Sequence, residues 1–125
     1  MARWIIDGNN VMGSRPDGWW NDPIGAAARL TQAIAEWCRT HDDDVVVVYD
    51  GQPEARLRRL GGGNLAVDFA TRSGRDAADD RIVALAEAET DPATLTVVTS
   101  DRGLQDRLPD EVAVLGAGTF RRRLD

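Results

Sequence analysis

The sequence predicts an α/β fold, with a mainly parallel five-stranded sheet packed between two helical layers. Three observations carry that reading. Short apolar runs of strand length alternate with stretches of helical periodicity, which implies right-handed crossovers between parallel strands. The first run, Trp4-Ile5-Ile6, is continuous rather than alternating, as in a strand covered on both faces. Three of the runs lead into a carboxylate, Asp7, Asp50 or Asp101, at the edge where open α/β sheets hold their ligands.

The elements follow in order. Trp4 to Asp7 is the first strand, and Gly8 follows it at once. Glycine lets the backbone turn where a larger residue would clash. Residues 13–23 are turn-rich and form a loop. Within it, Trp19-Trp20 either closes the edge of the core or stacks on a base. Asp22 can cap the next helix, with Pro23 in its first turn. From Ile24 to about Thr40, the residues Ala27, Leu30, Ala33/Ile34 and Trp37/Cys38 recur at helical spacing. Val45 to Tyr49 is the second strand, with Asp50-Gly51 after it. Residues 53–60 form a short helix exposing Arg56, Arg58 and Arg59, and residues 61–64 a turn. Leu65 to Phe69 is the third strand, and residues 71–75 are a loop. Asp76 to about Glu89 is a helix with Ala78, Ile82, Leu85 and Ala86 on its apolar stripe. Thr94 to Thr99 is the fourth strand, residues 103–108 one or two helical turns, and Val112 to Leu115 the fifth strand. A basic polar tail carrying Arg121, Arg122 and Arg123 runs from about Gly116.

At 125 residues the chain is long enough for one domain with a single core. Hydrophobic residues at 42% and charged residues at 29% fit a globular protein rather than a disordered one. No apolar run is long enough to cross a membrane, and Asp7 interrupts anything resembling a signal peptide. A single cysteine, Cys38, allows no internal disulfide, which suits a reducing cytoplasm. The formal charge of −6 argues against coating nucleic acid by bulk charge. It leaves room for a focal anionic site neutralised by a divalent cation. All 15 basic residues are Arg, so mechanisms that need an ammonium are excluded.

The acids form a constellation. Asp76, Asp79 and Asp80 stand at i, i+3 and i+4, neighbours on one helix face. As a helix start, Asp76 reads well as a cap, and the macrodipole accounts weakly for the other two. The functional reading turns this face toward Asp7 and Asp101 across the end of the sheet. Ionised carboxylates so close raise each other's pKa values, and Mg²⁺ or Mn²⁺ would relieve the conflict with hard oxygen ligands. His41, the one histidine, lies where a helix meets the acidic run Asp42 to Asp44. It supports neither a Ser/His/Asp triad nor a His-rich zinc site.

Asp7-Gly8-Asn9-Asn10-Val11 resembles the opening D-G-x-N-V motif of NYN-domain ribonucleases, within the PIN-like nuclease group. The chain most resembles their small bacterial YacP-like branch. Ala78 to Ile82 is similar to that family's acidic helix start, and Val97 to Asp101 to its fourth-strand motif. These stretches fall in order over nearly the whole chain. The resemblance implies one Rossmann-like, PIN/NYN-type three-layer domain over residues 1–125 and cytoplasmic, metal-dependent, endonucleolytic cleavage of RNA. Carried over position by position, it makes Asp7, Asp79 and Asp101 ligands of Mg²⁺ or Mn²⁺. Asp80 becomes a further acidic site residue, and Asp50 a looser addition to the metal set. Asn10 would brace Asp7 or contact substrate. Arg72, Arg75 and Arg102, with Asn9 and Ser100, are the substrate-binding candidates, since Arg grips phosphate bidentately. Asp106, five residues after Asp101, does not clearly match the family's last acid. Single-stranded RNA is the implied partner, with no membrane. A homodimer and an association with the ribosome or RNA processing stay open.

Two other readings compete. Phosphoaspartyl chemistry of the haloacid dehalogenase or receiver type also uses a strand-end Asp. The first wants an acid where Asn9 stands, and the second a Lys that the chain lacks. A non-catalytic RNA-binding or toxin-like protein on the same fold is the other, against which the intact acids weigh. No Gly-Lys-Ser/Thr P-loop occurs.

Overall fold

The computed structural model describes residues 2–71 and 76–125. Five strands, β1 (Arg3–Asp7), β2 (Asp44–Asp50), β3 (Leu65–Ala70), β4 (Leu95–Val98) and β5 (Ala113–Leu115), form one sheet. Every pairing is parallel, in the order β3-β2-β1-β4-β5. The expected α/β architecture therefore holds, and the sheet is parallel throughout. In the central register Ile5 pairs with Val46 and Val97, and Ile6 with Val47 and Val98.

The continuous apolar runs find their explanation in the two cores. Ile6, Val47 and Val98 point into one, with Leu30 and Ile34 of helix α2 (Pro23–Cys38). Ile5, Val48 and Val97 point into the other, with Ile82 and Ala86 of helix α4 (Ala77–Glu87). A right-handed crossover from β1 to β2 puts α2 on one face. The return from β3 to β4, in the opposite direction, puts α4 on the other. Asp22 accepts a hydrogen bond from the Gly25 N–H at 3.1 Å and caps α2, with Pro23 in its first turn, as expected. The short helices α3 (Ala55–Arg58) and α5 (Arg102–Gln105) follow β2 and β4.

Three local features differ from the sequence reading. First, helix α1 (Gly8–Met12) begins directly at the end of β1. Its glycine is not required by an unusual turn, since Gly8 is not among the glycines with positive φ. A Cβ there would stand 2.5 Å from the Tyr49 ring and 2.9 Å from the Val48 carbonyl oxygen. Gly8 lets α1 lie against β2. Second, the segment read as a polar tail is helix α6 (Ala117–Leu124). Phe120 anchors it, 0% exposed, against Trp4 and Trp37 with ring centroids 6.3 and 5.1 Å away. Burying such a ring stabilises by roughly 2–3 kcal/mol, enough to order a segment whose other face is charged. Third, Trp19–Asn21 and Pro92–Thr94 form single turns of 3₁₀ helix. The expected loop at 71–75 lies outside the described residues beyond Thr71.

A methyl at Gly8 would press on the Tyr49 ring and the Val48 carbonyl oxygen. Gly8→Ala should lose about 1–3 kcal/mol of stability, read as a lower urea midpoint with an unchanged slope. An unchanged midpoint would show that α1 can lift off β2 freely.

Candidate functional site

The chain leaves β1 toward β2 on one side and later returns to β4 on the other. The crevice between β1 and β4, beyond their carboxyl ends, is thus the topological switch point of the sheet. An open cleft of about 340 Å³ lies there, lined by Asp7, Asn9, Asn10, Asp50, Asp76, Ala78, Asp79 and Asp101. The chain brings together the ends of three strands, the first turn of α1 and the start of α4.

Asp7 is the buried member, 5% exposed. Its Oδ2 accepts a hydrogen bond from the Thr99 hydroxyl at 2.9 Å. Burial is the main reason its pKa is pushed up, to about 6, and the charges of Asp79 and Asp50 add to the rise. The Thr99 hydroxyl and the Asn10 backbone N–H work in the other direction. The Asp79 carboxyl is also raised, first by burial, then by Asp101, Asp76 and Asp50, with Arg107 opposing. Both shifts come first from lost hydration and second from the neighbouring acids.

The two neighbouring acids of α4 have separate surroundings. Asp79 lines the cleft. Asp80 accepts a hydrogen bond from the Arg107 guanidinium at 2.8 Å and does not line it. Asp76, read as a cap, sits at the N-cap position but makes no capping hydrogen bond with its side chain. It lines the cleft instead. Nothing in the sequence separated these two uses of an Asp at a helix start.

The remaining polar residues tie the rim together. Asn9 Oδ1 accepts from the Asp50 N–H at 2.8 Å, linking α1 to the end of β2. Asn10 Oδ1 accepts from the Ser100 N–H at 2.8 Å, linking α1 to the end of β4. Asp101 Oδ1 caps α5, accepting from the N–H groups of Gly103 at 2.9 Å and Leu104 at 3.3 Å. Ser100, a substrate-binding candidate in the sequence, uses its Oγ to accept from the Ala117 N–H that opens α6, at 2.8 Å. Thr99 was missed. Its hydroxyl donates to Asp7 and accepts from the Asp101 N–H at 3.1 Å, and Gln105 Nε2 donates to its carbonyl at 3.0 Å. The signal was a hydroxyl ending an apolar run two residues before an acid.

Of the arginines, Arg102 is exposed on the first residue of α5, beside Asp101, without an ion pair among the described residues. Arg58 lies over the Phe69 ring at 5.5 Å, and Arg59 Nε donates to the Ala55 carbonyl at 3.3 Å. Arg72 and Arg75 lie outside the described residues. Asp106 is exposed and is not among the residues lining the cleft. A second hollow, of about 390 Å³, opens at the start of the strands around Trp4, Asn64 and Glu89. There Glu89 is already paired with Arg3 at 2.9 Å. Among the described residues, no group of three His, Cys, Asp or Glu side chains is arranged to hold a metal ion. No helix there is long and apolar enough to cross a membrane.

Comparison with known proteins agrees with the fold. The sequence matches the family model of the YacP-like NYN domain over residues 4–119. The structure is similar to the crystal structure of Rae1 (YacP) from Bacillus subtilis, with a TM-score of 0.77 and 26% identity over 99% of this chain and 74% of that one. A tryptophan-to-leucine variant of the same Bacillus subtilis protein gives a TM-score of 0.76 and 29% identity, over 99% and 75% of the two chains. No curated protein matches the sequence.

Folding raises the Asp7 pKa from 3.8 to about 6, so between those values the native state holds a proton the unfolded chain has released. Stability from this group is complete below the unfolded value and is lost as the pH rises through the folded one. Asp7→Asn keeps an oxygen for the Thr99 hydroxyl and carries no charge. In chelator it should stabilise the fold at pH 7 by up to ~3 kcal/mol, converting the shift at 1.36 kcal/mol per unit. The difference should close near pH 4. Urea unfolding of both proteins across this range measures it, and equal stability at pH 7 would refute the strain.

Proposed function

The chain belongs to the YacP-like NYN domain family, a family of nucleases, and from that premise we propose that it is a divalent-metal-dependent ribonuclease. It would cut phosphodiester bonds within RNA at the cleft over Asp7. The observation that carries this reading is the gathering of Asp7, Asp50, Asp76, Asp79 and Asp101 around one opening at the switch point.

The donor set fits a hard dication by its chemistry. Carboxylate oxygens suit Mg²⁺ and Mn²⁺, and the carboxyls of Asp7 and Asp79 are raised by burial and further by the acids around them. Mg²⁺ usually keeps several waters and takes one or two carboxylates. That mode suits acids that share a cleft without forming a three-residue cage. Asp7, Asp79 and Asp101 are the residues that would hold the ion, with Asp50 and Asp76 at the border. Asp80 is engaged by Arg107. When bound, such an ion polarises a phosphoryl oxygen and lowers the pKa of its water.

The chain's own residues supply position. Thr99 holds Asp7 by Oδ2, and the amides of α5 hold Asp101 by Oδ1, while both residues line the cleft. The side-chain oxygens of Asn9 and Asn10 are occupied by backbone N–H groups. Their Nδ2 donors, without a hydrogen bond among the described residues, would serve substrate oxygens. Arg102, at the same rim, is placed to grip a flanking phosphate.

Incubation of the protein with single-stranded RNA should give cleavage with Mn²⁺ or Mg²⁺ and none in chelator. Asp7→Asn and Asp101→Asn each keep the oxygen that their neighbours use, so both should fold and both should fail to cleave. Undiminished cleavage by the two variants would remove these residues from the mechanism. The metal should also raise the melting temperature, by the equivalent of about 2.7 kcal/mol at a hundredfold excess over its Kd. A flat titration with RNA bound but uncut would favour the non-catalytic binding protein.

A further inference from the structure

The tandem tryptophans divide their roles. Trp19 is half-buried against the core and lies beside Gly13. Trp20 is 55% exposed, with Ile24 nearby in sequence at 49%. The turn that carries Trp20 is tightly braced. Gly18 adopts a left-handed φ of 83°, the Asn21 N–H bonds the Gly18 carbonyl at 3.0 Å, and the Asp22 N–H bonds that of Trp19 at 3.2 Å. The two indoles meet edge to face, with centroids 5.9 Å apart and planes at 82°. An anchored ring therefore backs an exposed one.

The platform is joined to the acidic cleft through α1. The Gly13 N–H bonds the carbonyl of Asn9, a cleft residue, at 2.9 Å. The five residues of α1 span about 7.5 Å. Trp19 thus packs at the C-terminal end of a short helix whose first turn lines the cleft, and Trp20 packs on Trp19.

The charge balance says what such a ring would do there. The chain carries −6 overall, and five acids line the cleft. The cations flanking the tryptophan loop are already engaged. Arg15 pairs with Asp125, and Arg121 with Asp17 at 3.2 Å and with the Val11 carbonyl at 3.2 Å. Beside the tryptophan loop, where Arg15 and Arg121 are engaged, a strand would be held by an attraction that does not depend on positive charge. Stacking of a base on an aromatic ring provides it, and tolerates every base.

We propose that Trp20 is a stacking platform for an unpaired base of the RNA strand that enters the cleft, a reading that rests on the ribonuclease function above. The substrate is accordingly an RNA single-stranded near the cut, where a base can leave its own stack.

The test uses the intact protein and a fluorescein-labelled oligoribonucleotide kept uncut by chelator, in anisotropy titrations. Trp20→Leu keeps the apolar bulk and removes the ring. It should weaken binding roughly 5- to 150-fold, and Trp20→Phe should restore most of the affinity. On a cleavable strand, Trp20→Leu should raise KM by more than it lowers kcat. On an abasic oligomer of the same length, Trp20→Leu and the unaltered protein should bind alike. Equal affinity of both for the base-bearing strand, with RNA still cut by the unaltered protein, would overturn the platform and leave the nuclease standing. So would an equal loss on the abasic strand, which marks a structural role, or a changed oligomeric state with unchanged RNA affinity, which marks a protein contact. If the unaltered protein neither binds nor cuts RNA with either metal, the ribonuclease reading itself fails.

Discussion

A carboxylate buried at the end of a central strand is unfavourable unless something offsets its lost hydration. Asp7 occupies that place in β1 with one side-chain hydrogen bond, from Thr99, to hold it. The surrounding acids make the charged form less favourable still. Among the described residues no basic side chain pairs with Asp7; Arg107, which opposes the rise at Asp79, is bonded to Asp80. The fold therefore carries an unfavourable charge at a defined point, which is where a functional site is expected to break the local rules.

Around that point, single polar atoms of cleft-lining side chains serve the scaffold. Asn9, Asn10 and Asp101 each use one oxygen to accept backbone N–H groups at strand ends or at the start of α5. The Thr99 hydroxyl joins the ends of β1 and β4 by donating to one acid and accepting from the backbone of the next. Such bonds hold a rim built from separate strands in one geometry before any ligand arrives.

The far face of the molecule contributes by keeping the sheet closed. Trp4, Trp37 and Phe120 interlock near the start of the sheet, and Phe120 brings α6 down over the first core. Because Ser100 Oγ receives the first amide of α6, the same helix reaches the rim of the cleft. The C-terminal helix is thus a strut between the aromatic cluster and the site, and its arginines serve partly as fasteners. Arg121, bonded to α1 and to Asp17, is the clearest case.

Much of this was legible locally. Apolar runs of strand length define the five strands to within about a residue or two, and their continuity announces helices on both faces. Asp7, Asp50 and Asp101 are at the ligand-binding edge simply because they follow those runs, and Asp79 is on the right helix by spacing alone. Pairing between distant residues was not legible. That Gly8 must be small depends on Val48 and Tyr49, some forty positions on. That Asp80 faces away while Asp76 faces in depends on Arg107 and on a capping bond that is not made. That residues 117–124 are a helix depends on a pocket between Trp4 and Trp37 for one phenylalanine. Hydrophobic period is a property of neighbours along the chain and survives in the sequence. The partner of a charge or a ring is a property of neighbours in space, and only the folded chain supplies it.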